Sequence, residues 1–334
     1  MAEISRRTRP WRRRPAAALT ASLAVCLAVP LAACSGGEAT PDADPSTTPP
    51  DEAAALTVGY FPLVHTATAV NAAESGLFAR EGLDVELVVT GGGAEAIPAL
   101  VAGEYDVVYT NYTSALLAAE RGLPIVFVAG NDLGGSDHGV FVADESPIQS
   151  VADLAGASFA VNNLQNIGTI AITRQVEEVG VDPSDVTLLE MPFPAMQAAL
   201  IRGDVDAIWQ VEPFQASAQA SGLRKIGDLF AGASASMPVA GWVSTREFAT
   251  KNPETIEAFR TALAHSVEDL SDNRARLVEL VPSYTEVDAA VVEAVELPLW
   301  ESQLDAAGLQ VIADLMHSYG ITSQAFDVAT MLPA

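Results

Sequence analysis

From Leu56 onward, short runs of β-branched and aromatic residues alternate with stretches of helical periodicity. LTVGYF (56–61), DVELVVT (84–90), DVVYT (106–110) and IVFVAG (125–130) are each bounded by turn residues, as strands are. Between them, apolar positions recur at helical spacing over 67–80, 94–101 and 114–121. Such alternation predicts an α/β architecture, a mostly parallel sheet with helices on both faces. After VADL (151–154) the order returns. SFAVN (158–162) reads as a strand, 169–179 as a helix, VDPSDV as a turn, TLLEM (187–191) as a strand, 195–202 as a helix and AIWQV (207–211) as a strand.

One phrase occurs twice, 100 positions apart: ALVAGEYDVVYT (99–110) and ALIRGDVDAIWQ (199–210). General βαβ patterning would preserve apolar classes, but it would not hold G-[ED]-x-D in register. Two similar lobes follow. Gly103 and Gly203 each stand after a helix, where glycine turns the chain in the left-handed conformation without a Cβ clash. Asp106 and Asp206 then open the next strand.

From Met237 the pattern begins with a strand, PVAGWVST (238–245), and continues mostly helical with no further strands. Asn252-Pro253-Glu254 starts a helix to about Leu270, and others cover 288–295 and 302–319. This tail is expected to pack on the first lobe.

The first 33 residues read differently. Six Arg between Arg6 and Arg14 precede an apolar run from Ala16 to Pro30 that closes in LAAC (31–34), the layout of an export signal. The run is shorter than the roughly 20 residues of a helical span. Residues 34–55, rich in Pro, Thr, Asp and Ala, read as a disordered tether.

Composition sharpens this picture. With 49% hydrophobic and 18% charged residues, the 334-residue chain can bury a large core. Of 17 basic and 43 acidic residues, six Arg and one Glu lie in the first 33, leaving 11 against 42, a net charge near −31. Nucleic acid is therefore excluded as a partner. The two cysteines, Cys26 in the signal and Cys34 at its end, leave no disulfide pair, no thiol chemistry and no cysteine-ligated metal site in the body.

The series GYFP, AAESGLFAREGLDVEL, GGGAEAIPALVAGEYDVVYT, SVADLAG and ALIRGDVDAIWQVEPF, spanning about Leu56 to Phe259, resembles the solute-binding proteins of importers for nitrate, sulfonates, taurine and thiamine-type pyrimidines. The resemblance implies a type II periplasmic-binding-protein fold. Lobe 1 would comprise 56–141 and 238–334, and lobe 2 would comprise 142–237, with crossovers near Val140–Ala143 and Met237–Val243. It implies a monomer that closes over one small solute by hinge motion and delivers it to an ABC permease and its ATPase. LAAC-Ser35-Gly36 resembles a lipobox, implying a lipidated Cys34 that anchors the chain to the outer face of the cell membrane.

Ligands of open α/β sheets sit beyond the carboxyl ends of the strands. In the first lobe this rule selects Phe61, His65, Thr66, Asn111, Tyr112, Thr113, Asn131 and His138. In the second it selects Asn163, Gln165, Asn166, Thr169, Phe193, Trp209, Gln210 and Glu212, with Trp242 at the returning crossover. Aromatic walls with a few amides and hydroxyls suit a small organic ligand, although Trp209 and Phe193 read equally well as core. NLQNIGT (163–169) leads into a helix whose free N–H groups either are capped or face an oxygen of the ligand. Glu212 of VEPF reads as a hinge residue or a hydrogen-bond acceptor.

No Arg or Lys stands at these strand ends, which favours a neutral or cationic nitrogenous solute over an inorganic anion. On these readings Trp209→Ala is expected to lose binding with little loss of fold. The histidines lack metal-ligand spacing, so neither a metal nor a cofactor is expected. The same architecture hosts pyrimidine-precursor synthases and menaquinone-precursor dehydratases, and sensory receptors as well. No G-x-S-x-G, histidine-partner pattern or cysteine-rich segment accompanies it here, so an enzyme is not expected.

Overall fold

The computed structural model describes residues 53–333. The expected export signal, Cys34 and the expected tether up to residue 52 lie outside the described residues. Among the described residues, eleven strands form two sheets, and both are mixed rather than purely parallel. The strands are β1 Ala54–Tyr60, β2 Leu83–Val89, β3 Val107–Asn111, β4 Ile125–Leu133, β5 His138–Val142, β6 Ser158–Val161, β7 Thr187–Glu190, β8 Ala207–Val211, β9 Arg224–Asp228, β10 Pro238–Thr245 and β11 Leu299–Trp300. The helices are α1 Ala67–Glu74, α2 Leu77–Arg80, α3 Gly93–Ala102, α4 Tyr112–Glu120, α5 Ile167–Glu178, α6 Phe193–Arg202, α7 Phe214–Ala220, α8 Arg246–Lys251, α9 Pro253–Ser271, α10 Arg274–Tyr284, α11 Ala289–Val292 and α12 Ala306–Ser318.

The first sheet runs β11-β4-β10-β3-β1-β2 and the second β7-β6-β8-β5-β9. β1 is parallel to β2 and β3, while β10 is antiparallel to both β3 and β4. In the second sheet β6 is parallel to β7 and β8, and β5 is antiparallel to β8 and β9. Each sheet therefore has one reversed internal strand, and in both cases it is the strand by which the chain arrives from the other sheet. The first passage lies between Leu133 and His138, ahead of the Val140–Ala143 expected from sequence, because His138–Val142 pairs along its whole length with β8. The return lies between Asp228 and Pro238.

The repeated phrase is the same construction in each half. Gly103 and Gly203 follow α3 and α6 with φ of 82° and 76°. The N–H groups of Gly103 and Glu104 reach Leu100 and Ala99, and those of Gly203 and Asp204 reach Leu200 and Ala199, so both helices close in a Schellman turn. Asp106 then accepts the backbone N–H of Thr57 on β1 at 2.8 Å, and Asp206 accepts that of Ser158 on β6 at 2.8 Å. The invariant aspartate thus pins each repeated strand to its parallel neighbour.

Four readings of the sequence are corrected. The helix expected over 67–80 breaks at Ser75-Gly76, where Gly76 takes φ 69°. Strand pairing begins at Ala54, inside the expected tether. The helix over 288–295 is only α11, and α12 starts at Ala306, where Asp305 caps it. The C-terminal region contains a strand, β11, which joins the edge of β4. The rest of that region covers the first sheet as expected: α9 buries Ile256, Phe259, Leu263 and Leu270 at helical spacing. Phe259 stacks on Phe78 and meets Trp242 edge-on, each with ring centroids 5.5 Å apart.

Candidate functional site

The carboxyl ends of β1, β2 and β3 face those of β6, β7 and β8 across a cavity of about 320 Å³. Seven of the residues selected from sequence line it: Phe61, His65, Asn111, His138, Asn166, Phe193 and Trp209. Tyr109 and Asn111 enter it from β3, Trp209 and Val211 from β8, which are the matching positions of the repeat. Side chains alternate along a strand, so Gln210 points away, with its Nε2 3.5 Å from the carbonyl of Phe193.

Trp209 forms an aromatic wall with Phe193 edge-on at 4.9 Å and His138 at 5.8 Å. Gly168 makes this possible, because a Cβ there would come within 2.3 Å of the indole. Trp209 is only 3% exposed and its Nε1–H has no partner. It is both core and cavity wall, which corrects the expectation that Trp209→Ala would spare the fold. Emptying such a site costs about 3–5 kcal/mol.

The other ten selected residues do not line the cavity. Thr66 closes a turn by donating to the carbonyls of Phe61 and Leu63. Tyr112 packs edge-on against Phe127, and Thr113 donates to Asn111 and lies 3.5 Å from Asn166 of the opposite half. Asn131 accepts from Thr68 and from the Trp242 indole and donates to the His65 carbonyl, so Asn131 and Trp242 are interior supports. Asn163 and Gln165 border a separate groove beside α3 and α4, and Thr169 donates to the Asn163 carbonyl.

Glu212 is buried and accepts from Gln215 Nε2, Ala216 N–H and Glu296 N–H at 3.0–3.1 Å, tying β8, α7 and the C-terminal region together. Burial pushes its carboxyl up to about 7, against the hydrogen bonds that pull the other way. Asn166 caps α5 by accepting the Ile167 N–H, and its amide donates to Asn162 at 2.8 Å.

Several lining residues were not selected from sequence: Leu63, Gly91–Gly93, Tyr109, Asn162, Ile167, Pro192, Pro194, Val211, Val239 and Ala240. Tyr109 could have been found, since it is the counterpart of Trp209 in the repeat. The glycines stand at the end of β2, where Gly93 leaves no room for a Cβ against Thr110.

Two aspartates were also missed, and they dominate the electrostatics. Asp137 Oδ2 lies 2.6 Å from His65 Nε2, and Asp132 Oδ1 accepts from Asn131 Nδ2 at 2.8 Å and from the Tyr109 hydroxyl at 3.2 Å. Burial pulls the His65 imidazole down, but the Asp132 charge, the Asp137 hydrogen bond and the charges of Asp137 and Glu212 together hold the ring above its ordinary value. Asp137 is correspondingly low: burial raises it, and the His138 charge and the His65 hydrogen bond and charge more than offset that. Burial raises Asp132 to about 6 and lowers His138 to about 4. His138 Nε2 lies 3.4 Å from Asp137 Oδ2 without hydrogen-bond geometry, and at neutral pH its ring is uncharged. These two carboxylates lie behind the lining residues His65, His138 and Tyr109, and no Arg or Lys lines the walls. Spacing along the chain gave no hint that His65, Asp132 and His138 converge.

Residues 64–275 match the NMT1/THI5 like family. The chain belongs to that family. It is 28% identical over 158 residues to the formylaminopyrimidine-binding protein of Halalkalibacterium halodurans, covering 47% of each chain. It is 26% identical over 210 residues to the taurine-binding periplasmic protein of Escherichia coli, covering 62% of this chain and 64% of that one. The matches thus span less than two thirds of either relative. Among solved structures, the periplasmic aliphatic sulphonate binding protein SsuA of Escherichia coli superimposes with a TM-score of 0.73 at 21% identity, over 84% of this chain and 97% of that one. The nitrate-binding protein NrtA of Synechocystis superimposes with a TM-score of 0.68 at 14% identity, over 83% and 84%. At such identities the likeness is one of fold, the two-lobed α/β fold of periplasmic binding proteins.

Proposed function

We propose that this chain is an extracytoplasmic substrate-binding lipoprotein of an ABC importer, which captures a small organic solute by closing its two lobes over it. The observation that carries this reading is the cavity itself: it lies between two sheets, draws walls from both, and combines an aromatic lining with a few polar groups. Both halves contribute, so a bound solute would favour the closed arrangement over an open one. Thr113 beside Asn166, and the Tyr319 hydroxyl 2.8 Å from Glu177, are contacts that such closure would make and break.

The solute is neutral or cationic, planar and nitrogenous. Supporting this are the aromatic wall of Phe193, Trp209 and His138, the carboxylates of Asp132 and Asp137 behind the lining residues Tyr109, His65 and His138, and walls without Arg or Lys. The relatives include a formylaminopyrimidine-binding protein as well as a taurine-binding one, and the charge of this cavity fits the former class better. Lipidation at Cys34 and the tether after it would hold the lobes beside a permease and its ATPase in the membrane. Among the described residues no helix is long and apolar enough to cross a membrane.

Thermal-shift screening of the lobes tests the solute class. Aminopyrimidines and related heterocycles should raise the melting temperature. Stabilisation by alkanesulfonates, taurine or nitrate, with none by heterocycles or amines, contradicts that assignment.

A further inference from the structure

Beneath the aromatic wall, three side chains from separate segments converge: His65 from the turn after β1, Asp132 from β4 and His138 from β5. One donor atom from each lies within 4.8 Å of the others, and all three residues are at most 2% exposed. His65 Nδ1, Asp132 Oδ2 and both ring nitrogens of His138 have no hydrogen-bond partner in the fold. Buried polar atoms are ordinarily paired, so four unpaired ones in a single cluster require an explanation. We propose that His65, Asp132 and His138 form a binding site for a first-row divalent transition-metal ion, with open coordination positions turned toward the cavity.

The surroundings of the three donors fit an ion. The Nε2 edge of His65 is occupied by Asp137 at 2.6 Å, which orients the ring and leaves Nδ1 as its free donor. A ligating histidine whose second nitrogen is held by a carboxylate is the usual outer-sphere arrangement of metal sites. Asp132 Oδ1 is likewise held by Asn131 and Tyr109, which leaves Oδ2 free. Two imidazoles and one carboxylate suit zinc, cobalt, nickel or iron(II), whereas calcium and magnesium take oxygen donors.

Three protein donors leave further coordination positions open, and both histidines line the cavity. An ion there would offer a coordination position to a nitrogen donor of a neutral solute. It would also bridge the sheets, since Asp132 belongs to the first and His138 to the second.

Cobalt(II) added to the chelator-treated full chain is the probe, with absorption and proton NMR as readouts. One cobalt per chain should bind, with visible d–d bands that zinc abolishes. Ring resonances of His65 and His138 should shift or broaden, while those of exposed His265 and His317, the other two of the four histidines, stay in place. Asp132→Asn and His138→Gln should weaken binding by about 100-fold or more, and Asp137→Asn by about 10–100-fold. Melting of the metal-free variants shows whether each still folds. The wild-type NMR pattern stands without them if one does not. Absence of stoichiometric cobalt binding, perturbation confined to His265 or His317, or equal affinity in a folded Asp132→Asn variant would overturn the proposal.

Discussion

Glu212 shows how strongly a single residue can be set by its surroundings. It is buried at the end of β8, and three donors surround a carboxyl raised to about 7. Its folded pKa exceeds its ordinary value, so the folded state holds the proton more tightly than the unfolded one. That stabilising contribution is complete below about pH 4.5 and is lost as pH rises through about 7. Between pH 5 and pH 8 the loss is roughly 2–3 kcal/mol. The raised Asp132 and His65 and the lowered His138 also make stability depend on pH, so the informative quantity is a difference between proteins. Urea unfolding of Glu212→Gln at the two pH values should show a smaller change than wild type by about that amount, and an unchanged difference would contradict the burial argument. The identity of Glu212 as a key residue was legible from its place after a strand. Its role as an interior tie was not, because two of its partners, Gln215 and Glu296, belong to α7 and to a C-terminal segment with no sequence signal linking them to β8.

Among elements, the duplicated helix, glycine turn and strand carry the most information per residue. Its glycines require positive φ, its aspartates pin adjacent parallel strands, and its strand ends deliver Tyr109, Asn111, Trp209 and Val211 to one cavity. Gly103→Ala and Gly203→Ala should each cost about 1–2 kcal/mol through left-handed backbone strain. The two end different helices, one in each half, without shared partners, so chemical denaturation of the double variant should give the sum of the single effects. A coupling well outside error would mean that the halves do not respond independently. The apolar strands β1, β3, β4, β8 and β10 were legible because their runs are long and sharply bounded. β5 opens with His-Gly and leaves only the short run Val140–Val142, and β9 is Arg-Lys-Ile-Gly-Asp with no apolar run, so pairing with neighbouring strands is what defines them. The same blindness hid half of the site: Asp132 and Asp137 matter through what the crossover brings beside them, and that neighbourhood does not exist along the chain.

Over the whole molecule, each sheet is completed by a strand that enters from the other, reversed in direction between parallel neighbours. Only two such passages join the halves, while α9 and the C-terminal elements pack on the first half. The cavity lies where both halves end their parallel strands, with the buried carboxylates of Asp132 and Asp137 behind its lining. Occupancy by a solute is what makes that arrangement useful. Native mass spectrometry of protein purified gently from its producing cells addresses this most directly, with Trp209→Phe prepared alongside. Wild type should retain one small nitrogen-containing organic species per chain and the variant, still folded, should retain much less. A wild-type chain carrying no adduct, or the same adduct equally retained by both proteins, would contradict solute capture at this cavity.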